Sequence, residues 1–190
     1  QEWYFYYWLE ELYDAGYIDY INPERPNFEL NDGLKITWIK KLKTKLKSIS
    51  KNLINIRTYT PDFIFQFNIK AKNIFYYTTT EEIESIKAFP LVSVGGVTYV
   101  DTKGEFTRHF SSSITFGDRQ AVMWDKHKIY VQIIKPYIRE GKGCLFEKTF
   151  TPKKVIKEQV YKKDNKIRKI KKGDSKIKYQ VKTLEQFIKE

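Results

Sequence analysis

The pattern of apolar and polar positions divides the chain into a short series of elements. Over residues 2–15, Trp3, Phe5/Tyr6, Leu9, Leu12 and Tyr13 recur at steps of three and four, the period of a helix with one buried stripe. Gly16 suits the left-handed position that ends it. Tyr17–Ile21 reads as a short extended run, Asn22–Pro26 as a loop, and Phe28–Leu30 as a strand closed by Asn31-Asp32-Gly33. Residues 34–56 carry both periods. Leu34, Ile36 and Trp38 alternate, whereas Leu42, Leu46, Ile49 and Leu53 step like a helix; the alternation of Lys43, Lys45 and Lys47 favours extended structure with a basic face. Phe63, Phe65 and Phe67 define a strand over Tyr59–Phe67, with Pro61 near its start or on an edge.

A polar excursion follows at 68–96, in which Thr80 is placed to cap a short helix through Ile86. Gly95-Gly96 predicts a hairpin turn into a strand over Val97–Lys103. Thr115–Lys128 reads as a helix and Ile129–Ile134 as a strand. Cys144–Phe150 is a further strand candidate, and Lys176–Lys182 alternates as another. Thr151-Pro152 predicts a helix start, and Thr183 with Gln186 a capping box.

Composition narrows the class. The 190 residues are 41% hydrophobic and 16% aromatic, enough for a packed core and not a disordered composition. One cysteine excludes a disulfide scaffold or a cysteine-based zinc site, and two histidines leave little for a histidine metal cluster. The apolar runs are too short for a membrane-spanning helix. The acidic, aromatic N-terminal stretch does not read as a signal peptide.

The net charge of +12 is unevenly spread. Residues 1–32 hold eight acids and one arginine. Between Asp32 and Asp62 lie eight basic residues and no acid, and residues 151–190 hold fourteen basic residues against five acids. Two basic blocks around a nearly neutral middle suggest a phosphate backbone as partner, with a solvated lysine-rich surface as the bland alternative.

The neutral middle contains the candidate chemistry. Side chains alternate along a strand, so Asp101 and Lys103 share a face at the end of theirs. If Asp62 comes from a neighbouring strand, the two carboxylates can share one divalent cation. Magnesium suits such a site because it takes hard oxygen ligands and keeps several waters. Lys103 is then available to orient a water or to stabilise charge on phosphorus. Elsewhere Glu81, Glu82 and Glu84 read as a solvated face, Glu105 as having left the strand, His109 and His127 as surface residues, Cys144 as a buried small residue, and the aromatic helix as core.

Pro61-Asp62 followed by Asp101-Thr102-Lys103 resembles the PD-(D/E)xK nuclease superfamily, the restriction-endonuclease-like proteins. More narrowly, the chain is similar to small phage-encoded members. They share the Glu-led aromatic helix ending in Ala15-Gly16, the Tyr59–Phe63 and Asp101–Gly104 segments, and a helix before Ile129-Tyr130-Val131-Gln132. The likeness covers about residues 2–150. It implies an α/β fold with an αβββαβ core, a mixed central sheet flanked by helices, over residues 1–150. It leaves 68–96 as an insertion and 151–190 as a lysine-rich C-terminal extension on or beside that core.

The implied activity is Mg2+-dependent hydrolysis of DNA phosphodiesters, with Mn2+ as a substitute, by an endonuclease acting on branched, nicked or flapped DNA. Asp62 and Asp101 would hold the metal, with the Thr102 carbonyl as third ligand, Lys103 as catalytic lysine, and Glu2 as an additional acid. Glu10 and Glu11 are alternatives to Glu2. Arg108, Arg119 and Gln120 are the implied or expected phosphate contacts, joined by Lys43, Lys45 and Lys47 from the basic face. Junction resolvases of this fold are commonly homodimers. A phage-type nuclease would work in the cytoplasm of the infected host. The sequence departs from the family in the long Asp62–Asp101 separation and in having Asp rather than Glu at 101. The competing expectations are an inactive nucleic-acid-binding protein that keeps the fold, and a phage assembly protein with a basic tail.

Overall fold

The computed structural model describes residues 1–78, 91–104, 110–138, 143–156 and 181–189, with residues 110–115 described by their backbone alone. The elements, in chain order, are α1 (Glu2–Asp14), β1 (Ile18–Ile21), β2 (Phe28–Asn31), β3 (Leu34–Lys41), β4 (Leu46–Ile54), β5 (Arg57–Tyr59), β6 (Phe63–Phe67), a 3-10 turn (Ile69–Ala71), β7 (Tyr76–Thr78), β8 (Leu91–Ser93), β9 (Val97–Thr102), α2 (Phe110–His127), β10 (Val131–Ile134), α3 (Leu145–Lys148) and a last helix, Leu184–Lys189. The fold is mixed α/β.

Four strands form the central sheet in the order β1-β6-β9-β10. β1, β6 and β9 are successively antiparallel, and β10 lies parallel to β9. A parallel neighbour needs a crossover connection, and α2 supplies it. Helix, three antiparallel strands, helix and parallel strand therefore follow one another along the chain, with β2–β5 and β7–β8 as side pairs.

The sheet buries both faces. In α1, Phe5, Trp8, Leu9 and Leu12 fall on one stripe and pack against Phe65, Phe67 and Val100. Phe75, Leu91, Phe146, Phe150, Val155, Leu184 and Phe187 complete this core. On the opposite face a smaller cluster joins Met123 and Phe116 of α2 to Tyr59 and Val131, with Tyr99 at its edge. The alternation of β9 thus turns Val100 toward α1, and Tyr99 and Asp101 toward α2.

α1 ends as expected at Gly16, whose φ of +75° is open to glycine and strained for other residues. Gly16 N–H donates to the Tyr13 carbonyl and Tyr17 N–H to that of Leu12, which satisfies two terminal carbonyls. The capping box at 183 also forms: Thr183 N–H donates to Gln186 Oε1 at 2.9 Å, and Gln186 N–H to Thr183 Oγ1 at 3.4 Å.

Other expectations are revised. The predicted strand Tyr59–Phe67 is two strands in different sheets, because Thr60-Pro61-Asp62 breaks the ladder where proline has no N–H to donate. Cys144–Phe150 is not a strand: Leu145 and Phe146 are adjacent and both buried in one core, which a period of two forbids and a helical turn allows. α2 begins at Phe110, before the expected Thr115. The excursion at 68–96 is not wholly polar, since Phe75, Tyr76 and Leu91 enter the main core and β7 pairs with β8. Its proposed helix at 80–86 lies outside the described residues, as does most of the strand expected at 176–182. Residues 34–56 are extended, as favoured. The chain reverses at Leu42–Lys45, where Leu42 N–H bonds the Lys45 carbonyl, so Lys43 and Lys45 sit at a hairpin tip rather than beside Lys47 on one strand face.

Trp8 is the centre of the larger core. It stacks on Phe5 and on Phe150, each at 5.7 Å, meets Phe75 edge-on, and donates its indole N–H to Thr149 Oγ1 at 3.2 Å. Trp8→Ala should cost about 3–5 kcal/mol, whereas Trp3→Ala, on the exposed side of the same helix, should change stability by no more than about 0.5 kcal/mol. Urea unfolding of the two variants checks this; equal losses would contradict the packing.

Candidate active site

The register of β6 on β9 builds the site. Phe63 pairs with Val100, so Asp62, one residue before the strand, lies across from Asp101, one residue further along β9. Asp62 Oδ2 accepts two bonds from Thr102, one from the backbone N–H at 2.7 Å and one from Oγ1 at 2.9 Å. That pair of donors fixes the carboxylate at the sheet's end. Lys103 Nζ meets Asp101 Oδ2 at 2.6 Å, the two side chains sharing a face as the alternation requires. Lys103 N–H bonds the Ile134 carbonyl of β10, which holds the lysine's backbone in the sheet beyond the last residue of β9.

Asp101 is only 4% exposed. Burial and then a hydrogen bond with Asp62 push its carboxyl up to about 6, while Lys103 pulls in the opposite direction. The two acids therefore share a space in which a single ammonium leaves negative charge uncompensated. Tyr59 closes the inner side. Its hydroxyl is buried beside Asp101 without a hydrogen bond of good geometry, and burial followed by the Asp101 charge pushes the phenol well above its usual range. Arg119, exposed on α2, is near enough to oppose that shift.

Asp62, Asp101, Thr102 and Lys103 are thus brought together. Tyr59 and the Thr102 hydroxyl are additions: in the sequence Tyr59 only flanks the Pro61-Asp62 motif, and Thr102 is expected to contribute its carbonyl alone. No local signal marks a threonine as a brace for an acid on another strand.

Glu2 lies near the site without joining it. Its neighbour Gln1 has Cγ beside Gly104 and accepts from Tyr137 N–H, while Glu2 itself pairs with Arg25 at 3.4 Å, both side chains more than half exposed. Among the described residues, no group of three or more His, Cys, Asp or Glu gathers to hold a metal. Glu10 and Glu11, later on α1, bind Lys154 Nζ and the Lys153 N–H instead. Gln120 donates to the Val131 carbonyl at 2.6 Å, which ties α2 to β10. His127 Nε2 lies 2.9 Å from the Glu29 carbonyl, joining α2 to β2. Cys144 is buried, as expected. Arg108, Glu105, His109, Glu81, Glu82 and Glu84 lie outside the described residues.

No protein-family model, curated protein or solved structure matches the chain. Among the described residues, no helix is long and apolar enough to cross a membrane. The donor set itself fits a hard divalent cation, because it consists of carboxylate oxygens crowded together with less positive charge than they need.

The raised pKa has a consequence for metal-free protein. Between the ordinary Asp value of 3.8 and about 6, folded Asp101 keeps a proton that the unfolded chain releases. The stability it contributes is complete below the lower value and is lost as pH rises through the upper one. In EDTA, Asp101→Asn should therefore stabilise the chain by about 1–2 kcal/mol at pH 7.5, with the gain shrinking toward pH 4.5. Thermal unfolding across this range reads it; a gain that grows on acidification would reverse the sign.

Proposed function

We propose that the chain is a metal-dependent phosphodiesterase acting on DNA, an endonuclease of the PD-(D/E)xK kind with a restriction-endonuclease-like core. One observation carries the reading: Asp62 and Asp101 face each other across β6 and β9 at the sheet's end, with Lys103 on the face of Asp101. The helix–three strands–helix–strand order around them supports it.

Asp62 and Asp101, with the Thr102 carbonyl, would hold Mg2+ or Mn2+, which supplies the charge to polarise a phosphoryl oxygen and acidify a water. The chain's own groups do the remainder. Thr102 N–H and Oγ1 keep Asp62 oriented. Lys103, one-third exposed, can leave Asp101 and set its ammonium against a phosphate oxygen or the attacking water. Tyr59 shields the inner side of Asp101 from solvent. Arg119, exposed on α2 and close to the site, is the described cation best disposed to meet a substrate phosphate.

A second reading keeps nucleic-acid binding and drops the chemistry. It is favoured by the lack of a third acid beside Asp62 and Asp101 among the described residues. Plasmid and branched DNA incubated with Mg2+ or Mn2+ separate the two. On the nuclease reading the chain nicks or cuts DNA. Asp62→Ala, Asp101→Ala and Lys103→Ala each lower the rate at least about a hundredfold while binding in EDTA persists. Absence of cleavage on every substrate, or cleavage indifferent to Asp101→Ala, leaves the binding protein.

A further inference from the structure

The β3–β4 ribbon is a sheet of its own, attached to the rest of the fold through its base. It is inserted between β2 and β5, which are held together partly by Arg57 N–H donating to Asn31 Oδ1 at 2.9 Å. β5 ends at Tyr59, three residues before Asp62. The ribbon is thus rooted beside the candidate active site.

Its pairing sorts its side chains. Trp38 lies opposite Ile49, Lys40 opposite Lys47, and Ile36 opposite Lys51, so all six share one face. Trp38 is 42% exposed and Ile36 43%. Two-stranded ribbons are marginal on their own in water, and this one leaves aromatic and aliphatic surface open. It also sets two lysines directly across from each other, an arrangement that repels. Residues 34–54 hold seven lysines and no acid. None of those lysines pairs with a carboxylate among the described residues.

We propose that the ribbon is a nucleic-acid-binding arm: Trp38 stacks with an unpaired base while Lys40, Lys47 and Lys51 hold the flanking phosphates. An aromatic ring bordered by cations on one face is the combination that single strands use, because every base offers an apolar π-face and every linkage a negative charge. The same ribbon of a second copy is a poor occupant for this face, since it would set lysines against lysines. The duplex exterior offers phosphates without exposed base faces, so the substrate is DNA with single-stranded or branched character. The arm rests on the nuclease reading only in delivering that strand to Asp62 and Asp101.

The test is fluorescence anisotropy in EDTA, with a labelled single-stranded oligonucleotide and a blunt duplex of the same sequence. The single strand should bind more tightly. Trp38→Ala should weaken it about tenfold with its salt dependence unchanged, and Trp38→Phe should restore most of the loss. Lys40→Ala with Lys47→Ala should flatten the slope of log affinity against log salt by about 1.4. All three variants should unfold like the parent chain, because the side chains they alter belong to neither core.

Variants that bind as the parent does overturn the arm, as does a duplex preference indifferent to Trp38. Trp38-dependent binding to phosphatidylserine vesicles with unchanged oligonucleotide affinity assigns the face to membranes and also overturns it. Loss of a concentration-dependent dimer in Trp38→Ala, again with unchanged affinity, assigns it to self-association with the same result. If binding follows these expectations but Mg2+ gives no cleavage, the nuclease reading falls and the arm stands. If DNA is cleaved while the variants bind normally, the arm alone falls.

Discussion

Phe63 pairs with Val100, and the candidate site depends on that register. A slip of one residue would turn Asp101 and Lys103 to the α1 face and bury them among Phe5, Trp8 and Phe65. The hydrophobic pattern prevents the slip. Val100 must enter the larger core and Tyr99 the smaller one, so Asp101 has one face available to it. The cores therefore hold the carboxylates in place, and the smaller one reaches Asp101 through Tyr59.

The arrangement is costly to the fold. Asp101 is buried beside another acid, and Lys103 only partly offsets the burial and the neighbouring carboxylate that raise its pKa. Tyr59 adds a buried hydroxyl without a good partner. Unrelieved polar groups gathered at the end of an otherwise well-packed sheet are where binding or catalysis is expected, because their interactions are completed by something other than the chain.

Charge acts at a second scale. The acidic N-terminal helix does not repel the basic C-terminal stretch but binds its described ends: Glu10 and Glu11 take Lys154 and Lys153, and Val155, Leu184 and Phe187 enter the same core as Trp8. Part of the lysine-rich tail is thus structural. Among the described residues, the lysines of the ribbon at 34–54 have no such carboxylate partners.

The sequence alone determined the elements whose period is strong and whose ends carry stereochemical markers. α1 with Gly16, the Phe63–Phe67 strand, the Gly95-Gly96 turn and the Thr183–Gln186 box are local, and their residues specify them without help. It also put Asp101 and Lys103 on one face, because alternation in a strand is local too. Tertiary structure decided the rest. Whether Asp62 met Asp101 depended on which strands paired across a long intervening segment, and no periodicity encodes a partner. Thr102 as the brace for Asp62, Gln120 as a tie to Val131, and Glu10 and Glu11 as anchors for the tail are contacts between distant parts of the chain. The expected strand at 144–150 failed for the same reason: with Leu145 and Phe146 both drawn into one core, the backbone had to turn.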